Sequence, residues 1–169
     1  MFGDGLGRPV LFVFGDTRSS PIERLLIDIG GELEFDTVEH NPLGACGNPD
    51  LISRSLDIES VEIPDHSFVV LVTRGVNDVR LLEHVSRFSP SYVAVVSSKL
   101  RWYATKKQLL EAGVNKKFID AISAPAGIDI GAISLEEIAI SILAEIIQVR
   151  RALEKNEKML SSVPLDAEN

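Results

Sequence analysis

The sequence predicts an α/β chain with a mainly parallel sheet, and three observations carry that reading. Unbroken apolar runs rich in β-branched residues recur along it, among them Val10-Leu-Phe-Val-Phe14, Phe68-Val-Val-Leu-Val72 and Tyr92-Val-Ala-Val-Val96. Strands covered on both faces of a parallel sheet look like this, whereas half-solvated antiparallel strands alternate apolar with polar. Segments with helical start and stop signals separate the runs. The first strand–helix–strand unit closes within about thirty residues, the size of one βαβ crossover. Strands and helices in strict alternation imply three layers, with helices on both faces of the sheet.

Composition sets the limits. At 169 residues and 45% hydrophobic, with a net charge of −8, the chain can bury one core and has little room for a second. A single domain over residues 1–160 is expected, with residues 161–169 as a flexible tail. The acidic balance argues against general nucleic-acid binding and against an anionic membrane surface, since both need a basic footprint. No apolar run reaches the length of a membrane span. One cysteine excludes an internal disulfide framework and fits a reducing compartment. The N-terminus lacks the basic region and apolar core of a secretory signal, so a cytoplasmic protein is expected.

Taken in order, residues 1–7 are a Gly-rich lead-in, and residues 10–14 form the first strand, stopping at Gly15. Ser20, Pro21 and Glu23 supply a cap, a first-turn proline and an acid three residues after the cap. Leu25, Leu26 and Ile29 give that helix its apolar face, and Gly30-Gly31 should stop it. A second strand is expected around residues 33–38. Asn41-Pro-Leu-Gly-Ala-Cys-Gly-Asn-Pro49 is dense in breakers and reads as loop. Residues 58–63 alternate weakly, as a short strand would. Residues 68–72 form a buried strand ending at Thr73-Arg74-Gly75, and Asn77 or Asp78 can cap a helix running to Phe88. After the strand at residues 92–96 a helix runs to Gly113. A short helix over residues 115–122 and a last strand precede Ala124-Pro-Ala-Gly-Ile-Asp-Ile-Gly-Ala132. Ser134 and Glu137 then form an S-x-x-E capping box. Behind it Ile138, Ile142 and Ile146 recur at helical period with Ala139, Leu143 and Ile147 beside them, in a helix continuing toward Met159.

Right-handed crossovers between parallel strands bring the loop starts at Gly15, Glu39, Thr73, Ser97 and Pro125 to one edge, where such sheets bind ligands. The loop Gly15-Asp-Thr-Arg-Ser-Ser-Pro21 holds only the first glycine of a G-x-G-x-x-G fingerprint, with Thr17 and Ser20 at the other two places. Asp16 there opposes a phosphate and Arg18 offsets it; a plain strand-to-helix turn is the competing reading. Glu39 stands where a ribose-binding acid would lie, though a solvated glutamate is the simpler reading. Gly75 lets backbone pass close to a ligand, and Arg74 offers a planar fork for phosphate or carboxylate. Asp78 reads first as a helix cap. Ser97, Ser98, Lys99 and Arg101 put hydroxyls and positive charge at a helix N-terminus, where a bound anion or plain solvation would account for the cations. Cys46, six residues after His40, is an inert thiol in the simple reading and a soft ligand or sulfur carrier in the other. His40, His66 and His84 lack zinc-ligand spacing, and His84 reads as a structural helix residue. Asp129, between two isoleucines at the mouth of the last helix, reads most simply as a local turn residue.

The run from Tyr92-Val-Ala-Val-Val-Ser-Ser-Lys99 through Ala124-Pro-Ala-Gly-Ile-Asp-Ile-Gly-Ala132 to Ile142-Leu-Ala-Glu-Ile146 resembles the C-terminal Rossmann domain of the XdhC/CoxI family, accessory proteins of xanthine and carbon monoxide dehydrogenases. The resemblance covers most of the chain, and Thr73-Arg74-Gly75 with Asp78 matches the family's T-x-G-x-x-D pattern. It implies a three-layer Rossmann-like fold and a protein that binds the molybdenum cofactor, as molybdopterin or its dinucleotide form, protects or sulfurates it, and delivers it, with no covalent catalysis required of this domain. The implied partner is a molybdenum hydroxylase apo-enzyme. With the readings above, the candidate cofactor residues are Gly15, Thr17, Arg18, Thr73, Arg74, Gly75, Ser97, Ser98, Lys99, Arg101, Pro125, Gly127 and Asp129. Longer members carry an N-terminal domain with a Cys-Gly-Gly motif, which Cys46-Gly47-Asn48 is not. A separate partner supplying that domain, or a homodimer through the last helix, is therefore expected. Longer relatives also tend to carry G-x-G where this chain has Gly15-Asp16-Thr17. An NAD(P)-binding oxidoreductase or redox sensor is the alternative function, and an interaction module without ligand is a third.

Overall fold

The structure, a computed structural model, describes residues 7–162. Five parallel strands lie in the order β3-β2-β1-β4-β5: β1 (Val10–Gly15), β2 (Asp36–His40), β3 (Leu51–Ser53), β4 (Phe68–Val72) and β5 (Tyr92–Val95). Every residue of β1, β4 and β5 is buried, as their unbroken apolar runs require. The strand order reverses between β1 and β4, both of which pair with parallel register. That reversal is the topological switch point of the sheet.

Helices α1 (Pro21–Glu32) and α5 (Leu135–Ser161) cover one face, where Leu26, Ile27, Ile142 and Ile146 meet Leu11, Val13 and Val70. Helices α2 (Asp78–Val85) and α3 (Lys99–Glu111), with the short α4 (Lys116–Asp120), cover the other, against Phe12, Phe14, Leu71 and Val95. The expected stripe on α5 holds at Ala139, Ile142, Leu143 and Ile146, which are buried, but not at Ile147, which is exposed; each large buried side chain contributes roughly 2–3 kcal/mol by leaving water. Ser134 accepts from the Glu137 N–H while Glu137 reaches back to the Ser134 N–H at 3.0 Å, closing the capping box.

The boundaries differ from expectation in six places. Helix α1 does not stop at Gly30-Gly31 but runs on to Glu32. Gly30 is a close-packing residue, since a Cβ there would sit 2.6 Å from Leu11 Cδ2. The chain turns instead at Glu34, at φ 65°, and β2 starts at Asp36, later than residue 33. Residues 58–63 hold a 3₁₀ turn (Ile58–Ser60) rather than a strand. The fifth strand is the short edge strand β3, whose Leu51 and Ile52 are half exposed, which is why no apolar run marks it. The strand expected before Ala124 is reduced to one parallel bridge, Ala94 to Ser123. Helix α2 ends at Val85, short of Phe88. The lead-in over residues 1–6 and the tail beyond residue 162 lie outside the described residues, whereas residue 161 belongs to α5. Among the described residues no helix is long and apolar enough to cross a membrane.

Candidate functional site

The loops that leave the strand ends carry the sequence-predicted residues to one edge. Arg18 follows β1, Thr73, Arg74 and Gly75 follow β4, and Ser97, Ser98 and Lys99 follow β5. Pro125 joins them, because Ala126 N–H donates to the carbonyl of Val95, the last residue of β5, at 3.0 Å. Arg18, Arg74 and Lys99 are exposed. Their three strands are consecutive in the sheet, so positive side chains flank the switch point.

Arg74 and Asp16 bridge the loops that follow β4 and β1. Asp16 Oδ2 accepts from the Arg74 backbone N–H at 3.0 Å, and its Oδ1 lies 3.6 Å from Arg74 Nε. The guanidinium also donates to the Asp16 carbonyl at 3.3 Å. Asp16 therefore pairs with Arg74 from the neighbouring loop.

Arg101, expected to meet a ligand, faces inward. Its guanidinium donates to the carbonyls of Val96 and Thr73 and lies 3.7 Å from Asp78 Oδ2. Asp78 is buried and accepts from the Thr73 hydroxyl. It makes no cap, and Asn77, at the cap position, offers no side-chain bond either. The T-x-G-x-x-D pattern thus builds a brace under the β4–α2 loop. Gly75, at φ 97°, lies over that brace: a Cβ there would be 2.9 Å from Arg101 Cδ. Ser98 caps α3 through the Arg101 N–H at 3.1 Å, and Ser97 donates to the Ser98 carbonyl.

In the Ala124 stretch, Gly127 has φ 98° and presses on α5, where an added Cβ would collide with Ser141 Oγ. Asp129 is exposed and accepts from Gly131 N–H at 3.2 Å, the local turn that its sequence suggests.

Beneath the first loop lies a cluster that sequence reasoning missed. Glu23 and Glu39 are fully buried, and one carboxyl oxygen of each lies with Cys46 Sγ within 4.8 Å of one another. The solvated Glu39 expected from sequence is thus corrected: Glu39 accepts from the backbone N–H groups of Cys46 (2.6 Å) and Gly47. Asn41 donates to Glu23 Oε1 at 3.0 Å and to the Thr17 carbonyl at 2.8 Å. The Cys46 thiol donates to the same carbonyl at 3.6 Å. Glu23 contributes its backbone N–H to the Ser20 cap, as expected, while its carboxyl turns inward onto Gly15. Burial pushes that carboxyl up to about 8; Asn41 opposes the rise and Glu39 adds to it. Burial likewise pushes the Cys46 thiol up to about 11, with Glu23 and Glu39 adding to the effect. Both shifts favour the neutral forms, the protonated carboxyl of Glu23 and the thiol of Cys46. Glu39 lies near the end of β2, which is buried from Thr37 to His40, but the polar composition of that strand gave no sign of it.

The histidines form no ligand set. His84 is buried and its Nε2 bonds the Val61 carbonyl at 2.6 Å, the structural role expected of it. His40 bonds Ser53 through Nδ1 at 2.9 Å, and burial lowers its pKa. His66 occupies an exposed turn at φ 64°.

Comparison with known proteins agrees with this architecture. A protein of Escherichia coli (strain K12) described as uncharacterized protein YqeB is 28% identical over 153 residues, covering 85% of this chain and 28% of that protein. A crystal structure described as a xanthine dehydrogenase from Bacillus halodurans superposes with a TM-score of 0.65 at 26% identity, covering 86% of this chain and 43% of that one. The chain thus spans less than half the length of either relative. The family model described as the XdhC Rossmann domain matches residues 11–146, and the chain belongs to that family.

Proposed function

We propose that this chain is an accessory protein of a xanthine dehydrogenase-type molybdenum hydroxylase, and that it holds the molybdenum cofactor for transfer to the apo-enzyme. The observation that carries the reading is the placement of exposed Arg18, Arg74 and Lys99 on the loops after three neighbouring strands, around the switch point of the sheet. The cofactor's phosphate is an anion, and a guanidinium fork beside a backbone N–H suits it. Arg74 would hold the phosphate, with Lys99 and Arg18 screening its charge. The metal centre supplies the hydroxylase's redox chemistry once delivered, so this chain needs only to bind and release. The structural relative described as a xanthine dehydrogenase supports the partner class. A partner that supplies the remainder of the longer relatives, and work in the cytoplasm, belong to the same reading.

The alternative, NAD(P) binding, meets two obstacles. The Glu23 carboxyl fills the space that Gly15 leaves, and Asp16 stands at the mouth of the same turn. In a dinucleotide site that turn receives the pyrophosphate.

Calorimetric titration with molybdopterin and with NADPH separates the two. Molybdopterin binding that weakens at least tenfold in Arg74→Ala plus Lys99→Ala is expected. Tight NADPH binding with no heat from the pterin would reverse the conclusion. Delivery is read separately, as faster activation of apo-dehydrogenase when the protein accompanies the cofactor.

A further inference from the structure

We propose that the anion seat at this sheet edge is the Arg74 backbone N–H together with its guanidinium, that Asp16 fills the seat as an internal stand-in, and that a phosphate group enters by displacing it. The proposal rests on the cofactor-holding reading only for the identity of the cargo.

Arg74 is held by a partner that fits it poorly. The Asp16 carboxylate takes one hydrogen bond, from the Arg74 N–H at 3.0 Å. Its other oxygen, Oδ1, is buried without a hydrogen-bond partner, and Arg74 Nε at 3.6 Å is beyond bonding distance. The guanidinium spends an Nη2–H on the Asp16 backbone carbonyl instead. A fork that could grip an anion through two parallel bonds therefore grips a carboxylate through none. The Arg74 side chain is 70% exposed against 25% for Asp16, so the cation is reachable from solvent while the carboxylate is tucked behind it.

The neighbouring groups make Arg74 the docking cation. Arg101 is committed to two carbonyls and to Asp78. The usual phosphate position, at the β1–α1 turn, holds the Glu23 carboxyl against Gly15. The β4–α2 loop is kept in shape from below by the Thr73–Asp78–Arg101 brace. Asp16 can therefore leave without the loop collapsing. A phosphate monoester or a pyrophosphate brings more oxygens and more charge than Asp16. It can take the N–H and both arms of the fork together.

If the internally paired state outweighs the open one by roughly ten to one, apparent affinity is reduced by roughly that factor. The test is calorimetric titration of inorganic pyrophosphate, at low salt, into the wild type, Asp16→Asn, Arg74→Ala and the double variant. Asp65→Asn, an exposed site just before β4 at the opposite edge of the sheet, controls for net charge. Asp16→Asn should bind roughly tenfold tighter than wild type, and the gain should vanish when Arg74→Ala is added. Equal or weaker binding by Asp16→Asn overturns the proposal, as does a gain that survives in the double variant or is matched by Asp65→Asn. Molybdopterin titrated into the same proteins separates the two claims. Tighter pyrophosphate binding with no pterin binding upholds the displacement and refutes the cargo. Pterin binding equal in wild type and Asp16→Asn upholds the cargo and refutes the displacement.

Discussion

Glu23→Gln should remove a pH dependence of stability that the buried carboxyl imposes. The folded chain raises the Glu23 carboxyl from 4.5 to about 8, mainly by burial. The sign follows from proton counting. Between those values the unfolded chain has lost the proton and the folded chain keeps it, so the folded state binds more protons. Stability is then highest below about 4.5, falls as pH rises toward about 8, and levels off above it. At about 1.4 kcal/mol per pH unit, the ceiling on the loss is about 5 kcal/mol, and relaxation around the cluster should leave roughly half of it. Glutamine has the shape and the acceptor that Asn41 needs but no proton to lose. Urea unfolding of both proteins at pH 5, 6, 7 and 8 gives the answer as a difference, in which other titrating groups cancel. The glutamine variant should gain on the wild type by about 2–3 kcal/mol across that range. A difference that stays flat from pH 5 to pH 8 would refute the buried, proton-holding carboxyl.

Three further outcomes follow from individual contacts. With its pKa raised from 9.0 to about 11, Cys46 should carry about a hundredfold less thiolate at pH 8 than an ordinary thiol. Its reaction with a disulfide reagent should be correspondingly slow and reach the free-thiol rate in urea; a native rate equal to the unfolded one counts against a shielded thiol. Gly127→Ala combines a left-handed backbone at φ 98° with a collision at Ser141, and should cost about 1–3 kcal/mol in thermal unfolding. Ser134→Ala removes one arm of the α5 capping box and should cost about 1 kcal/mol in the same measurement.

The legible parts were those where residue type and burial coincide. An unbroken apolar run can be satisfied only between two helical layers, so β1, β4 and β5 declared themselves, as did the capped, Ile-striped α5. Edge strand β3 is held by pairing to β2 rather than by burial of its side chains, so its composition carries no signal. Gly30 misled for a related reason: a glycine that permits close packing looks in sequence like one that ends a helix. At the site, the placement of Arg74 and Lys99 follows from topology alone. The inward turn of Arg101, Asp78 and Glu39 does not, because a charged residue is usually solvated. What reverses that preference here is a partner distant in sequence: Asp78 for Arg101, and the backbone N–H groups of residues 46 and 47 for Glu39.

The missing glycines of the first loop find their account in the same contacts. In a dinucleotide fingerprint the second and third glycines let backbone approach the pyrophosphate and let the helix sit close to the strand. Here the Thr17 carbonyl is turned toward Asn41 and Cys46, and the Glu23 carboxyl occupies the gap over Gly15. The β1–α1 loop is thus fastened to the β2–β3 loop, an arrangement that spends on internal hydrogen bonds the groups a dinucleotide site would turn outward. In the function proposed above, binding at this edge would fall to the loops after β4 and β5, where the side chains of Arg74 and Lys99 are open to solvent. On the proposed reading, the departure at Asp16-Thr17 and the Arg74 seat are one feature: the usual anion position is filled from within, and the neighbouring one is held by Asp16 until an anion displaces it.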